Sequence, residues 1–360
     1  MNLREFKECV KFNIENELRH AILGLGAPGV GKSQVVKQIG AELGYKVIDL
    51  RLAQMSEVEI GGLIYPNEDR TKTRWLSPEV LPDEERDGKK TILLLDEITS
   101  CPKRVQVAAY QLILDRRVGQ YNLPEGTFVI GLGNREDDDG VYIRLAGPLA
   151  DRFEIHYIDV DFRTWKNDFA IPYGVHSYVI NYLNFKPAAL HTQKADSDSM
   201  VFATPRSWER VSDILKKNSD LSNPVVVNKI AGNIGEVETT QFVSFINSSD
   251  DTVSVEDYLD NKVEAPTDPE KVAILTNGMI DRVSFLKSVN EADAIPEEKL
   301  KEVEKVIDGI FRLSTAEYTI VGIRDLLEIN RKVVSKLLYE SENPRVDEFL
   351  KYNTYLLGEY

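Results

Sequence analysis

Gly26-Ala27-Pro28-Gly29-Val30-Gly31-Lys32-Ser33 is an unbroken G-x-x-x-x-G-K-[ST] stretch, the pattern of a phosphate-binding loop. Each residue type in it has a physical task. The glycines let the backbone close into a nest whose amide N–H groups point inward at an anion. Lys32 supplies a point charge for β- and γ-phosphates, and the Ser33 hydroxyl can join the coordination of Mg²⁺. The apolar run Ala21-Ile22-Leu23-Gly24-Leu25 leads in as a short buried strand. Gln34 to Leu43 leads out with apolar positions at helical spacing. Strand, loop, helix is the setting the motif needs.

Outward from that corner, the chain alternates. Lys46 to Leu52, Thr91 to Leu95, Phe128 to Leu132 and Phe153 to Ile158 read as further strands. Thr91-Ile92-Leu93-Leu94-Leu95 is uninterrupted and suits the middle of a parallel sheet. Residues 3 to 18 and 103 to 117 read as amphipathic helices. The pattern predicts an α/β fold with a parallel five-stranded sheet and a nucleotide at the carboxyl ends of its strands. After about residue 165 strand signals fade. Helices are expected over 175–183, 206–215, 225–234 and 236–246. An acidic, proline-containing linker is expected over 248–270, followed by helices over 270–290, 297–313, 316–340 and 343–357.

With 360 residues, 42% apolar and 29% charged, the chain is expected to be globular, with two or three domains. No run approaches the ~18 consecutive apolar residues of a membrane span. The first residues lack the apolar core of a signal peptide, so a cytoplasmic location is expected. Cys9 and Cys101 are far apart and read as free thiols in a reducing cytosol. The four histidines have no neighbours at zinc-ligand spacing. A formal net charge of −15 argues against nucleic acid and for a protein partner.

Two further positions complete a phosphoryl-transfer constellation. Asp96 and Glu97 follow the Thr91–Leu95 run. A carboxylate at the end of a buried strand beside a phosphate loop can hold Mg²⁺, and the next can polarise the attacking water. Asn134, after Phe128 to Gly133, can contact a γ-phosphate without competing for the metal.

GAPGVGKS, LLLDE, Gly131-Leu132-Gly133-Asn134 and Leu149-Ala150-Asp151-Arg152-Phe153 occur in the order and approximate spacing of an AAA+ ATPase module. The flanking sequence resembles the MoxR-type branch, through Ile60-Gly61-Gly62-Leu63, Arg74 to Pro78 and Ala203-Thr204-Pro205-Arg206-Ser207-Trp208. The resemblance covers roughly residues 1 to 245. It implies an AAA+ α/β nucleotide-binding domain over 1–165, a helical lid over 166–248 and a C-terminal helical extension over 249–360. It implies ATP bound by Gly26, Ala27, Pro28, Gly29, Val30, Gly31, Lys32, Ser33 and Asp96, with Ser33 and Asp96 on the metal. It further implies Glu97 activating water, Asn134 as first sensor, Arg206 as second sensor, and Arg152 as the finger inserted into a neighbouring subunit. Arg144 competes for that last role.

The segment Gly61 to Pro82 resembles the insertion that interrupts the second helix in this branch. Its Tyr65 and Trp75 either line a central pore or pin a hairpin to its base. The function implied is Mg²⁺-dependent ATP hydrolysis by a hexameric ring that remodels a protein client, with a von Willebrand factor A domain protein as a possible partner. A nucleic-acid-associated motor or loader is the alternative, and a nucleotide switch without turnover fits poorly with Glu97 and Arg152.

Overall fold

The computed structural model describes residues 1–138, 142–145, 147–193, 200–249, 253–289, 295–313 and 315–353. These residues form two compact units. The first comprises 1–175, 188–220 and 228–235, and the second 176–187, 221–227 and 236–360.

The first unit is built on a five-stranded sheet of β1 (Ala21–Gly26), β2 (Lys46–Arg51), β5 (Thr91–Asp96), β8 (Thr127–Gly133) and β9 (Phe153–Ile158), ordered β2-β5-β8-β1-β9. All neighbours pair in parallel. The expected sheet is therefore the observed one, and β1 lies between β8 and β9. Side chains alternate along each strand and feed two cores. Ile92 and Leu94 of β5 point to a layer with Phe6, Val10, Ile14, Val36 and Ile39. Leu93 and Leu95 point to the opposite layer with Leu52, Ile60, Val105, Ala109 and Leu112.

The helices of the first layer have clear local causes. Leu3–Glu15 places Phe6, Val10 and Ile14 on one face and starts with a capping box. The Glu5 N–H donates to the Asn2 side chain, and the Asn2 N–H donates back to the Glu5 carboxylate, both at 2.9 Å. Lys32–Leu43 begins at Gly31 and ends at Gly44, both left-handed, at φ +104° and +70°.

Between β2 and β5 the chain makes a small antiparallel hairpin of β3 (Leu63–Pro66) and β4 (Thr73–Leu76). The Trp75 indole N–H donates to the Gly61 carbonyl at 2.5 Å, and the ring lies against Gly62 and Gly119. Trp75 thus pins the hairpin to its base, while Tyr65 is half-buried. The helix expected to reach Arg117 stops at Leu114, because Arg117-Val118 (β6) pairs antiparallel with Tyr121-Asn122 (β7).

The second unit is helical, with one core gathered by the helices 269–282, 297–311 and 316–340. Two expectations change here. Within the expected linker, Val255–Leu259 is a helix capped by Ser254, and Tyr258 and Leu259 are buried. The Tyr258 hydroxyl donates to the Gly309 carbonyl at 2.9 Å, and the Arg312 guanidinium covers its ring at 4.6 Å. Helix 316–340 is broken at Asn330, whose amide donates to the Leu286 and Val289 carbonyls while its Oδ1 accepts from the Val333 N–H. Residues 250–252 of the expected linker and 354–357 of the expected last helix lie outside the described residues. Among the described residues, no helix is long and apolar enough to cross a membrane.

One close approach ties β8 to the turn after β5. A Cβ on Gly133 would meet the Thr99 Oγ1 at 2.5 Å, and Thr99 is fully buried. Gly133→Ala is expected to cost about 1–3 kcal/mol in urea unfolding through overpacking. Gly232→Ala, on an exposed helical face with nothing within 4 Å, should instead gain about 0.5–1 kcal/mol.

Candidate functional site

Because β5, β8 and β1 are adjacent and parallel, their carboxyl ends emerge side by side. β1 delivers the loop 26–33, β5 ends at Asp96 and is followed by Glu97, and β8 is followed by Asn134. A cleft of about 1220 Å³ opens there, and its lining includes Gly29, Lys32, Ser33, Asp96, Glu97, Asn134 and Arg206. Gly29, at φ +77°, and Gly31 adopt the left-handed backbone that an inward-facing nest of amides needs.

Lys32 is buried at 9% exposure. Its ammonium donates to the Gly26 and Ala27 carbonyls at 2.5 and 2.9 Å and to Asn134 Oδ1 at 3.3 Å. Burial lowers its pKa to about 8, against the opposing pull of Asp138 and Asp96. A cation held away from water by neutral dipoles is well suited to an arriving anion.

The Ser33 hydroxyl donates to Asp96 Oδ2 at 2.6 Å. Asp96 Oδ1 accepts from the Glu97 N–H at 2.9 Å. A hydroxyl and a carboxylate brought together beside the phosphate nest form the hard oxygen set that Mg²⁺ prefers, so these residues fit that ion. Glu97 sits at φ +59°, a left-handed conformation that costs a non-glycine residue about 1–2 kcal/mol. Glu97 lines the same cleft as that pair.

Thr99 carries no signal of its own, yet it anchors Asn134. Its hydroxyl accepts from the Asn134 N–H at 2.8 Å and donates to the Asn134 carbonyl at 3.1 Å. Its position in Asp96-Glu97-Ile98-Thr99, one turn beyond the carboxylates, is the clue available in the sequence. His191 is a second residue not foreseen. Burial lowers its pKa and the nearby Lys32 charge lowers it further, against the opposing pull of Asp138.

Arg206 reaches the cleft from the first turn of the helix Pro205–Lys217, which Thr204 and Ser207 start with a capping box. Arg152 is not brought there. Ala21 pairs with Phe153 and Gly26 with Ile158, so Arg152 lies at the amino-terminal edge of the sheet. It stands about 20 Å along the strands from the phosphate loop. It is exposed and pairs with Asp151 at 2.6 Å. Arg144 is exposed and also outside the cleft lining.

Residues 21–150 match the model of the AAA domain (dynein-related subfamily). The α/β core is the AAA+ phosphate-loop fold, and a helical region follows it. No curated protein matches the chain. Among solved structures, a candidate ATPase of Cytophaga hutchinsonii is similar at 16% identity, covering 90% of this chain and 88% of that one, with a TM-score of 0.33. RuvB of Thermotoga maritima, a Holliday junction branch migration motor, is similar at 14% identity, covering 98% and 93%, with a TM-score of 0.37.

The lowered pKa of Lys32 gives a signed expectation. Phosphate selects the ammonium form, so binding is undiminished below the free-site pKa and weakens as pH rises through it. Affinity for a nucleoside triphosphate should be flat from about pH 6.5 to 7.5 and fall up to about tenfold per unit above pH 8. Fluorescence titration with a labelled ATP analogue checks this, and constant affinity up to about pH 9.5 would refute it.

Proposed function

We propose that this protein hydrolyses ATP as a ring-forming AAA+ ATPase of MoxR type and uses the energy to remodel a protein client. The observation that carries the reading is the convergence of Lys32, the Ser33–Asp96 pair, Glu97 and Asn134 at one corner. Such a set has little use in mere anion storage, because Glu97 serves a water and not a phosphate.

In this reading the loop amides and Lys32 hold the β- and γ-phosphates, and Lys32 exchanges its carbonyl partners for phosphate oxygens. Ser33 and Asp96 would hold Mg²⁺, which when bound would neutralise charge developing on the phosphates. Glu97 orients a water against the γ-phosphorus and accepts its proton. The water oxygen bonds to that phosphorus as the bond to the β–γ bridging oxygen breaks, giving ADP and inorganic phosphate. Asn134 positions the water and the γ-phosphate, and Arg206 reports the phosphates to its helix.

Arg152 acts on the pocket of a neighbouring copy, as its distance from its own loop favours. A guanidinium is always charged and can contact two phosphate oxygens at once. A hexameric ring, a cytoplasmic location and a von Willebrand factor A domain partner complete the proposal. So does the division into a nucleotide-binding domain over 1–165, a lid over 166–248 and an extension over 249–360.

Glu97→Gln should bind ATP like the parent and lose at least about a hundredfold in kcat, the lower range for removing a general base. Turnover at the parental rate would take Glu97 out of the mechanism. Arg152→Ala subunits should also be inactive alone yet regain turnover when mixed with Glu97→Gln subunits, because each donates what the other lacks. Mixed assemblies with no more activity than either variant would exclude a finger acting between copies.

A further inference from the structure

Glu97 stands in a backbone conformation that its residue type does not favour, so its surroundings must hold it there. Its N–H donates to Asp96 Oδ1 and its carbonyl accepts from the Ser100 N–H, both at 2.9 Å. The Ile98 N–H donates to the Leu132 carbonyl on β8 at 3.0 Å. The Ile98 carbonyl comes next along the turn. It accepts from Gln106 Nε2 at 3.2 Å, and the weaker Cys101 thiol donor lies at the same distance. Ile98 and Thr99 are fully buried, so solvent does not compete for that carbonyl.

Gln106 comes from the helix Lys103–Leu114, where it is buried at 3% exposure alongside the apolar Val105, Ala109 and Leu112. Its amide nitrogen also donates to the Ile143 carbonyl at 3.1 Å. Two carbonyl oxygens at one end of the side chain call for the NH₂ group there, which fixes the orientation of the amide. The Ile143 N–H in turn donates to the Thr99 carbonyl at 2.6 Å. The Ile98–Thr99 peptide is therefore held by the helix on one side. On the other, the Thr99 hydroxyl bonds both backbone groups of Asn134. An apolar side chain would suit this layer, and a buried amide is tolerated only with its partners made, so packing alone gives no reason for Gln106. Gln106 is not among the residues that line the cleft.

We propose that Gln106 is a positioning residue for Glu97, holding the Ile98–Thr99 peptide so that the strained turn before it cannot relax. This rests on the reading of Glu97 as the group that activates water. Without the amide, Ile98 is free to rotate and Glu97 can return to the negative φ that non-glycine residues prefer. Its carboxylate then leaves the place where a water meets the γ-phosphorus. A displacement of about 1 Å there is worth up to about a hundredfold in rate. The phosphate nest, Lys32 and Ser33 follow β1 and keep their own supports. The effect therefore falls on the chemical step and not on nucleotide binding.

The test is Mg²⁺-ATP kinetics on the full chain, with kcat taken per nucleotide site counted by titration with a labelled ATP analogue. Gln106→Met keeps the length of the side chain and removes its N–H groups. It should lower kcat about tenfold to a hundredfold, with Kd for the analogue within about threefold of the parent. In Gln106→Glu an ionised carboxylate faces two carbonyls and donates to neither, whereas the protonated form has one O–H to offer. Its kcat relative to the parent should therefore rise severalfold as pH falls from about 8 to about 6, because burial favours the neutral acid. A merely structural role changes the number of working sites and leaves kcat per site alone. If Gln106→Met fails to fold by circular dichroism, the pH ratio of Gln106→Glu decides. Parental kcat in Gln106→Met, a loss of Kd in parallel with kcat, or a pH-independent ratio in Gln106→Glu overturns the proposal. Glu97→Gln separates the two layers. Lost turnover there with parental kcat in Gln106→Met removes this inference alone, whereas parental turnover in Glu97→Gln removes the reading on which it rests.

Discussion

A positive charge kept nearly dry is the constraint around which this molecule is arranged. Lys32 has lost most of its hydration, and two loop carbonyls with one amide oxygen replace it only in part. Neutral dipoles stabilise an ammonium less than water does, which is why its proton is more easily lost than that of an exposed lysine. A site in this condition is complete only with an anion. The helix that begins at Lys32 adds its own positive end, and the left-handed Gly29 and Gly31 turn amides the same way.

That arrangement needs three strands to finish at one level. The register pairs Leu25 with Gly133, and Leu95 with Gly131, so Asp96 leaves the sheet within about two residues of the loop and Asn134. A slip of one residue in β5 would move Asp96 by about 3.3 Å and reverse the faces of Leu93 and Leu94. The two apolar layers thus set the register, and the register sets the site. Thr99 adds the final restraint by bonding both backbone groups of Asn134, which is possible because residue 133 has no side chain.

The sequence made the corner legible because motif, strand and helix are contiguous there. Three of the five strands are runs of buried residues and β9 alternates, signals that survive without knowledge of neighbours. What escaped depends on contacts distant along the chain. His191 gives no local cue, since its surroundings include Lys32, far from it along the chain. The helix Val255–Leu259 was obscured because its acidic flanks outweigh two buried residues, Tyr258 and Leu259. The break at Asn330 was hidden by continuous apolar periodicity on either side, and only the Leu286 and Val289 carbonyls give that amide a reason to leave the helix.

Arg152 shows how one sheet can both make a pocket and leave it incomplete. Strand β9 runs parallel to β1, so the residue before it must fall at the far edge from the phosphates. No rotamer of an arginine, about 7 Å in reach, spans a strand of six residues at about 3.3 Å each. In the proposed reading, the cation that β9 carries can reach only a phosphate loop in another copy. In that reading, the separation that keeps Arg152 from its own pocket would make turnover conditional on assembly, with no further switch required.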